Sequence, residues 1–286
     1  MRAVREAAYR LVQDVWSARL AQQLRGEFER VERFCLFIGY PRSGHSIVGA
    51  MLEAHPDAVI AHELNASPLI LGGATRNELY ARLVARARWF HRRGARTNYD
   101  YRVPGQWQGR HRTLRVIGDK RGGAVTRALA EHPDLLARVR RSTGVPLRLI
   151  HVVRDPLDNV AAIARWHDMT LADAADYYFA HCATMARIDA LCAPDELLTV
   201  AHEAFVRDPA SALRSLCGFL GLEPEPSWLA SCCAVVFPTP TRSGQKVRWP
   251  DGFDTRIAER ARAFPQLARY ALADDAAGGS MRTKFG

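Results

Sequence analysis

The residues with the clearest chemical meaning form a short segment, Gly39 to Ser46, which reads GYPRSGHS. Its glycine and hydroxyl spacing is typical of a loop that binds phosphate, but His45 stands where the loop that binds nucleoside triphosphates has lysine. The spacing favours an anion site over an ordinary turn between a strand and a helix. We expect that site to be formed by Arg42, Ser43, Gly44, His45 and Ser46.

The sequence on either side indicates which elements position this loop. An apolar run, Phe34 to Ile38, precedes it, and apolar residues at helical spacing follow it until Pro56. The loop is therefore predicted to connect a buried strand to a helix. There, backbone N–H groups and the positive end of the helix dipole point at the bound anion.

Further apolar runs predict the rest of the architecture. Each is short enough for a strand and is followed by helical sequence: Ala58 to Ala61, Leu114 to Ile117, Leu147 to Val153, and Leu197 to Val200. This alternation predicts the α/β class, with a single parallel sheet and flanking helices. A chain of 286 residues has room for two small domains, but we expect one, residues 31–286.

Residues 1–30 are predicted to form a separate N-terminal helix. Seven apolar residues fall largely on one helical face: Val4, Leu11, Val15, Trp16, Leu20, Leu24 and Phe28. We expect this amphipathic helix to pack on the domain. Binding to an anionic membrane surface is the alternative.

Charged residues follow each predicted strand. Ligands of parallel sheets bind beyond the carboxyl ends of the strands, so these residues are predicted to meet even though they are distant in sequence. Besides the loop itself they are His62 and Glu63, Asp119 and Lys120, Arg154 and Asp155, and His202 and Glu203.

The composition limits the classes of partner. A net charge of +10 and a pI near 9.7 favour acidic ligands, but the basic residues are spread along the chain, which makes nucleic acid an unlikely partner. Residues 76–102 contain eight arginines, which form either a solvated helix or an insertion that binds an acidic acceptor. The six cysteines show neither metal-site spacing nor the density of a disulfide scaffold, and the N-terminus has no long apolar stretch. We therefore expect a cytoplasmic protein.

Taken together, three motifs resemble the sulfotransferase family that uses 3′-phosphoadenosine 5′-phosphosulfate (PAPS). Tyr40 to Gly44 is similar to the family's 5′-phosphosulfate loop, and Val153 to Pro156 to its 3′-phosphate motif. Residues His202 to Leu222 resemble a strand-and-helix segment of the family. The resemblance runs from about residue 34 to 249 and implies a P-loop sulfotransferase fold, PAPS as donor and no metal.

The residues from Ala50 to Glu63 resemble the tyrosylprotein sulfotransferase branch more closely. By this resemblance Glu63 is the catalytic base, and Lys120 stabilises the transferring group. Arg154 is implied to bind the 3′-phosphate. A looser match, Arg242, Ser243 and Gly244, is similar to the glycine loop that covers that phosphate.

The sequence departs from the family pattern at three positions. His45 replaces a threonine, so the hydroxyl contact is expected from Ser43 or Ser46. Ala162 replaces a serine that contacts the 3′-phosphate. Gly122 stands where cytosolic sulfotransferases carry their base histidine, so the base must come from elsewhere.

These observations predict transfer of a sulfuryl group to an acceptor hydroxyl. A sulfuryl group carries less negative charge than a phosphoryl group, so fixed N–H donors with Arg42 and Lys120 stabilise it without Mg²⁺. The acceptor stays open between phenol, sugar, peptide tyrosine and lipid headgroup, with basic composition tilting the choice toward anions. Whether His62 or Glu63 is the base also stays open. Two other functions are alternatives: a kinase-like P-loop nucleotide-binding protein and a non-catalytic homologue.

Overall fold

Five parallel strands form one sheet in the order β2-β3-β1-β4-β5. The structure is a computed structural model that describes residues 17–93 and 101–270. The strands are β1 (Arg33–Ile38), β2 (Ala58–His62), β3 (Val116–Lys120), β4 (Leu147–Val153) and β5 (Leu197–Ala201). This arrangement confirms the α/β class and the single parallel sheet.

Helices cover both faces of the sheet. In chain order they are α1 (Arg25–Phe28), α2 (His45–Glu53), α3 (Ala66–Leu71), α4 (Arg76–Arg93), α5 (Gly122–Glu131), α6 (Leu135–Thr143), α7 (Pro156–His167), α8 (Leu171–Asp189), α9 (His202–Arg207), α10 (Pro209–Leu220), α11 (Pro226–Val235) and α12 (Phe253–Ala261). Two short 3₁₀ helices, Gly244–Lys246 and Pro265–Leu267, lie on either side of α12.

The central strand β1 is buried on both faces, which explains its unbroken apolar sequence. Phe34, Leu36 and Ile38 point into one hydrophobic core, and Cys35 and Phe37 point into the other. Successive side chains of a strand face opposite sides, so the five apolar residues of this strand contribute to both cores.

The position of β1 determines where the ligand loop lies. It pairs with β3 on one side and β4 on the other, with Leu36 beside Asp119 and Ile38 beside His151. The chain leaves β1 toward one edge of the sheet and later returns on the other side, which makes the carboxyl end of β1 a topological switch point.

The third strand begins and ends later than its sequence predicts. It spans Val116–Lys120 and not Leu114 to Ile117, so Asp119 and Lys120 belong to the strand itself. A strand with these polar residues is stable because each is satisfied: Asp119 accepts backbone N–H groups, and Lys120 pairs with Glu63. Position 118 requires glycine, because a Cβ there would lie 2.8 Å from the carbonyl carbon of Cys35.

The N-terminal segment is described only in part. Residues 17–23 are helical, and Leu20, Leu24 and Phe28 are buried in the core. Phe28 packs edge-on against Tyr80, with ring centroids 5.6 Å apart. The predicted face residues Val4, Leu11, Val15 and Trp16 lie outside the described residues, so the amphipathic helix and the boundary at residue 30 stay predictions.

Within residues 17–93 and 101–270, no helix is both long and apolar enough to cross a membrane. The six cysteines all fall in this part of the chain and are all free.

Candidate active site

The predicted anion loop lies between β1 and α2. Gly44 precedes α2 in a left-handed conformation, with φ of +107°, and Arg42 also has a positive φ of +67°. Glycine adopts this conformation without steric cost. Because the first N–H groups of a helix lack partners within it, those of His45 and Ser46 are placed to hold an anion. The backbone thus confirms the predicted strand-loop-helix arrangement.

Two loop side chains turn inward. His45 is buried, and its Nε2 donates to the carbonyl of Ile38 over 2.9 Å. The hydroxyl of Ser43 donates to the carbonyl of Tyr40 over 3.1 Å and lies 3.3 Å from His45 Nδ1. Burial lowers the pKa of His45 to about 4, so the ring is neutral. Of the two hydroxyls expected to contact the ligand, that of Ser43 is committed to the loop, whereas that of Ser46 faces Lys120.

Lys120 lies on one side of the loop, at the end of β3. Its side chain is only 3% exposed, and Nζ donates to Ser46 Oγ over 3.1 Å and to Glu63 Oε1 over 2.9 Å. Burial lowers the pKa of Lys120, and the charge of Glu63 counteracts this shift. The aliphatic stem passes against α2 at Gly49, where a Cβ would lie 2.6 Å from Lys120 Cγ. Lys120 is therefore a buried, paired lysine and not a solvated loop residue.

Glu63 lies directly after β2 in the left-handed region, with φ of +58°. Burial alone would raise its pKa, but the charge and hydrogen bond of Lys120 outweigh burial and lower it. Arg121 contributes to this, with NH1 3.4 Å from Oε2. Glu63 is thus ionised at neutral pH.

Asp119 holds the segment that carries Glu63. Its buried carboxylate accepts the N–H groups of Leu64 and Ala66 over 3.0 and 2.9 Å. Burial raises the pKa of Asp119 to about 6. A structural role therefore accounts for this residue.

Arg154 lies on the other side of the loop, after β4. It is buried, and NH1 donates to the carbonyl of Arg42 over 3.2 Å. NH2 donates to the carbonyl of Thr241 and, over 3.2 Å, to Ser243 Oγ. The loop is therefore flanked by Lys120 on one side and Arg154 on the other.

The segment of Arg242, Ser243 and Gly244 joins Arg154 through Asp158. The Gly244 N–H donates to Asp158 Oδ1 over 2.7 Å, and Arg242 NH1 lies 3.8 Å from Oδ2. Arg154 NH2 lies 4.0 Å from the same oxygen. Two arginines and a buried N–H thus surround one carboxylate at the start of α7. The structure therefore brings Arg154 together with residues 242–244, two groups that the sequence predicted separately.

Arg42 points its side chain to the outer end of α7. The guanidinium carbon lies 4.3 Å from the ring centroid of Trp166, a cation–π contact. Trp166 is 51% exposed. The sequence prediction that Arg42 contacts the transferring group is not tested by this geometry.

Three further residues belong to this region, and two of them, Asn159 and Thr126, were not singled out in the sequence. Asn159 Nδ2 donates to the carbonyl of Pro41 over 2.9 Å, and Thr126 accepts the N–H of Gly39 over 2.7 Å. His202 packs on Gly44, where a Cβ would lie 3.0 Å from His202 Cγ. The sequence could have indicated Asn159, because it is one of the first polar residues of the helix that follows Arg154.

The comparisons with known proteins decide the family. A family model described as "Sulfotransferase family" matches residues 36–226, more than half of the 286 residues. This chain belongs to the sulfotransferase family. No curated protein matches it significantly.

Solved sulfotransferases are similar to this one in structure. The sulfotransferase domain of the Synechococcus PCC 7002 olefin synthase is 17% identical, with 86% of this chain and 95% of that chain covered and a TM-score of 0.47. A sulfotransferase from Alicyclobacillus acidocaldarius is 16% identical, with 84% and 94% covered and a TM-score of 0.46. Mouse sulfotransferase SULT7A1, complexed with PAP, is 14% identical, with 87% and 86% covered and a TM-score of 0.40.

The sulfotransferase site leaves polar atoms for a phosphorylated ligand. Arg154 Nε, a hydrogen-bond donor, is buried and has no hydrogen-bond partner among the described residues, and the same holds for His202 Nδ1, which can carry the ring proton. Unsatisfied buried polar atoms are rare unless a ligand or water completes them. The residues around the loop therefore fit a nucleotide with phosphate groups.

A kinase-like protein would need a carboxylate near the loop for Mg²⁺, and the two aspartates that follow or end strands there have structural partners. Asp119 binds backbone N–H groups, as described above, and Asp155 Oδ1 caps α7 by accepting the N–H of Asp158 over 3.0 Å. His45 in place of the lysine is buried under the loop. Among the described residues, this sulfotransferase has no lysine on the loop itself.

Proposed function

We propose that this protein transfers a sulfuryl group from PAPS to a hydroxyl group, with 3′,5′-adenosine bisphosphate (PAP) as the other product. The observation that carries the proposal is the position of one loop between two buried cations: Arg154 bonds the carbonyl of Arg42, and Lys120 bonds Ser46. A donor with phosphate at one end and phosphosulfate at the other requires positive charge at two places. We also infer a cytoplasmic location, which the free thiols favour.

Arg154, Asn159 and Ser243 are the residues we assign to the 3′-phosphate. Arg154 already has Ser243 Oγ within 3.2 Å, and its guanidinium presents several N–H groups in a plane that matches phosphate oxygens. Gly244 donates its N–H to Asp158, and Arg242 lies near the same carboxylate, so both residues border the proposed 3′-phosphate position. The N–H groups at the start of α2, with Ser46, are assigned to the 5′-phosphosulfate.

Glu63 and Lys120 are assigned to the chemistry. When bound, PAPS supplies the sulfuryl group and a phosphate that leaves with the electrons of the broken S–O bond. Glu63, ionised at neutral pH, takes the proton from the acceptor hydroxyl as its oxygen bonds to sulfur. Lys120 has three N–H donors; Glu63 and Ser46 occupy two, so one remains for the bridging oxygen.

Thermal unfolding with PAP, compared with ATP plus Mg²⁺, tests the donor. At a concentration of one hundred times Kd a ligand adds about 2.7 kcal/mol, which raises Tm by several degrees for a chain of this size. We expect the rise with PAP. A rise with ATP and Mg²⁺ alone would support the kinase-like alternative, and PAP binding without any turnover of PAPS across a broad acceptor panel would support the non-catalytic one.

A further inference from the structure

The segment from Gly244 to Tyr270 begins and ends beside the proposed 3′-phosphate position. At its start, the Gly244 N–H donates to Asp158, and Trp249 Nε1 donates to the carbonyl of Gly244 over 2.9 Å. At its end, the hydroxyl of Tyr270 donates to Glu203 Oε2 over 2.6 Å. The match to the family model ends at residue 226, so Tyr270 lies outside the matched part of the chain.

Packing on α8 holds the end of this segment in place. Phe264 stacks on Phe179 of α8, with ring centroids 5.8 Å apart and planes inclined by 21°. The guanidinium carbon of Arg260 lies 4.4 Å from the centroid of the same Phe179 ring, a cation–π contact. Leu267 is fully buried, and the ring of Tyr270 packs against the hydrophobic core. The hydroxyl of Tyr270 is therefore presented by a packed segment.

Glu203 joins Tyr270 to the residue that follows Arg154. It is the second residue of α9 and is only 9% exposed. While Oε2 accepts the hydroxyl of Tyr270, Oε1 accepts the N–H of Asp155 over 3.0 Å. A carboxylate is an acceptor only, and a buried one is costly unless its oxygens have donors. Each oxygen of Glu203 thus has a donor other than the guanidinium of Arg154.

The charge of Glu203 nevertheless reaches Arg154. Burial lowers the pKa of Arg154, and the charges of Asp158 and Glu203 act against this shift. Burial also raises the pKa of Tyr270, and the charge of Glu203 raises it further, so the hydroxyl keeps its proton at neutral pH. Tyr270 is therefore a constant donor to a carboxylate whose charge acts on Arg154.

We propose that Tyr270 is a positioning residue of the donor site, whose hydroxyl holds the carboxylate of Glu203 beside the backbone of Asp155 and so keeps Arg154 available for the 3′-phosphate. Without that hydroxyl, Oε2 of Glu203 loses its donor. The buried charge then turns to Arg154, whose Nε has no hydrogen-bond partner among the described residues. The inference rests on the proposed function for the identity of the ligand, and Tyr270 acts on that ligand only through Glu203 and Arg154.

Tyr270→Phe tests this role because it removes the hydroxyl and keeps the ring. We expect the variant to bind PAP about tenfold more weakly, since a carboxylate now competes with the phosphate for the hydrogen bonds of a charged donor. Affinity for adenosine 5′-phosphosulfate, which lacks the 3′-phosphate, should stay unchanged. Calorimetry on the full chain measures PAP binding, and ligand-observed NMR measures binding of the second nucleotide. Neither measurement needs a known acceptor.

Glu203→Gln separates the charge at this position from its hydrogen bonds. The amide oxygen still accepts the N–H of Asp155, and the amide nitrogen donates to the hydroxyl oxygen of Tyr270, but no charge remains to compete for Arg154. This variant should bind PAP at least as tightly as the wild type. In its background, Tyr270→Phe should no longer weaken PAP binding, and a double-mutant cycle measures this loss of effect.

Tyr80→Phe is the matched control. It also removes a tyrosine hydroxyl that has a partner, since Tyr80 of α4 donates to the carbonyl of Thr143 in α6 over 3.2 Å. PAP affinity should stay unchanged in this variant even if its Tm falls.

Four results would overturn the inference: unaltered PAP affinity in Tyr270→Phe, an equal loss for adenosine 5′-phosphosulfate, the same loss of PAP affinity in the Glu203→Gln background, or a loss of similar size in Tyr80→Phe. In each case, PAP binding by the wild type would still support the proposed function. If the wild type bound no PAP, the proposed donor would be wrong, and the role of Tyr270 would fail with it.

Discussion

The imidazole of His45 occupies the space that a side chain at Gly122 would need. A Cβ at Gly122 would lie 2.7 Å from His45 Nε2 and 2.8 Å from Nδ1, closer than real Cβ contacts. The sequence departs from the family pattern by a histidine on the loop and by the missing histidine after Lys120. These two departures are therefore linked, because both concern the same space in the structure. A base histidine at position 122 is incompatible with His45, which supports a base at the end of β2.

Gly122→Ala should destabilise the protein by about 1–3 kcal/mol because it overpacks a buried ring. Adding His45→Thr makes room, so the double variant should be more stable than the sum of the single effects by about 0.5–3 kcal/mol. Denaturant unfolding measures all three. Gly218→Ala is the control, since nothing lies within 4 Å of its added Cβ, and it should not destabilise. Additive effects would contradict the shared space.

Glu63→Gln should lower turnover by about 10² to 10⁴, because the amide cannot accept the acceptor proton. PAP affinity should change little, since Glu63 lies on the Lys120 side of the loop. Steady-state kinetics with calorimetry separates the two effects. His62→Gln is the matched neighbour, and if it lost activity while Glu63→Gln kept it, the base would be His62.

Arg154→Ala should weaken PAP binding by about 1.5–3 kcal/mol, the range for hydrogen bonds to charged groups. Calorimetry measures the affinity. Arg138→Ala removes an arginine of the exposed pair with Asp134 and should leave the affinity unaltered. If both variants bound PAP as the wild type does, Arg154 would not be a donor ligand.

Ala162→Ser should tighten PAP by about 0.5–1.5 kcal/mol, the net value of one hydrogen bond. Ala162 follows Asp158 and Asn159 by one helical turn of α7 and shares their face, where Asn159 meets the loop and Asp158 meets Gly244. Affinity for adenosine 5′-phosphosulfate, which lacks the 3′-phosphate, should stay unchanged. An equal gain for both nucleotides would show that the hydroxyl acts on helix position instead.

Glu53→Gln should remove a dependence of stability on pH. Burial raises the folded pKa of Glu53 from 4.5 to about 8, so between these values the folded state keeps a proton that the unfolded state releases. Stability of the wild type then falls as pH rises through this window, by up to about 1.4 kcal/mol per pH unit.

Denaturant unfolding of Glu53→Gln between pH 5 and 8 checks this dependence. The variant should be less stable at pH 5 by about 1–3 kcal/mol, because its amide nitrogen cannot accept the N–H of Ile60 or Gly109. Its stability should nevertheless be less sensitive to pH than that of the wild type. Equal slopes would show that Glu53 is ionised in the folded protein.

The sequence alone determined the strand-loop-helix unit around Gly39 to Ser46 and the α/β class. These features depend on local periodicity and on turn chemistry, which are visible in neighbouring residues. The three motifs also determined the family, because their order and spacing persist along the chain. The bounds of β3 were missed because Gly118, Asp119 and Lys120 form a strand only when distant groups satisfy them.

Only the tertiary structure decided on which sides of the loop Lys120 and Arg154 lie and which residues of α4 pack on the sheet. Lys120 and Arg154 flank the loop because β3 and β4 pair with opposite edges of β1. The local periodicity of the sequence does not indicate the order of strands in a sheet. The arginines around α4 suggested an acidic acceptor, but the packing of α4 on β2 places Phe90 of this helix against His62 at the end of the strand. Which face of a helix lines a site depends on what the other faces bury, and that is settled only when the elements pack.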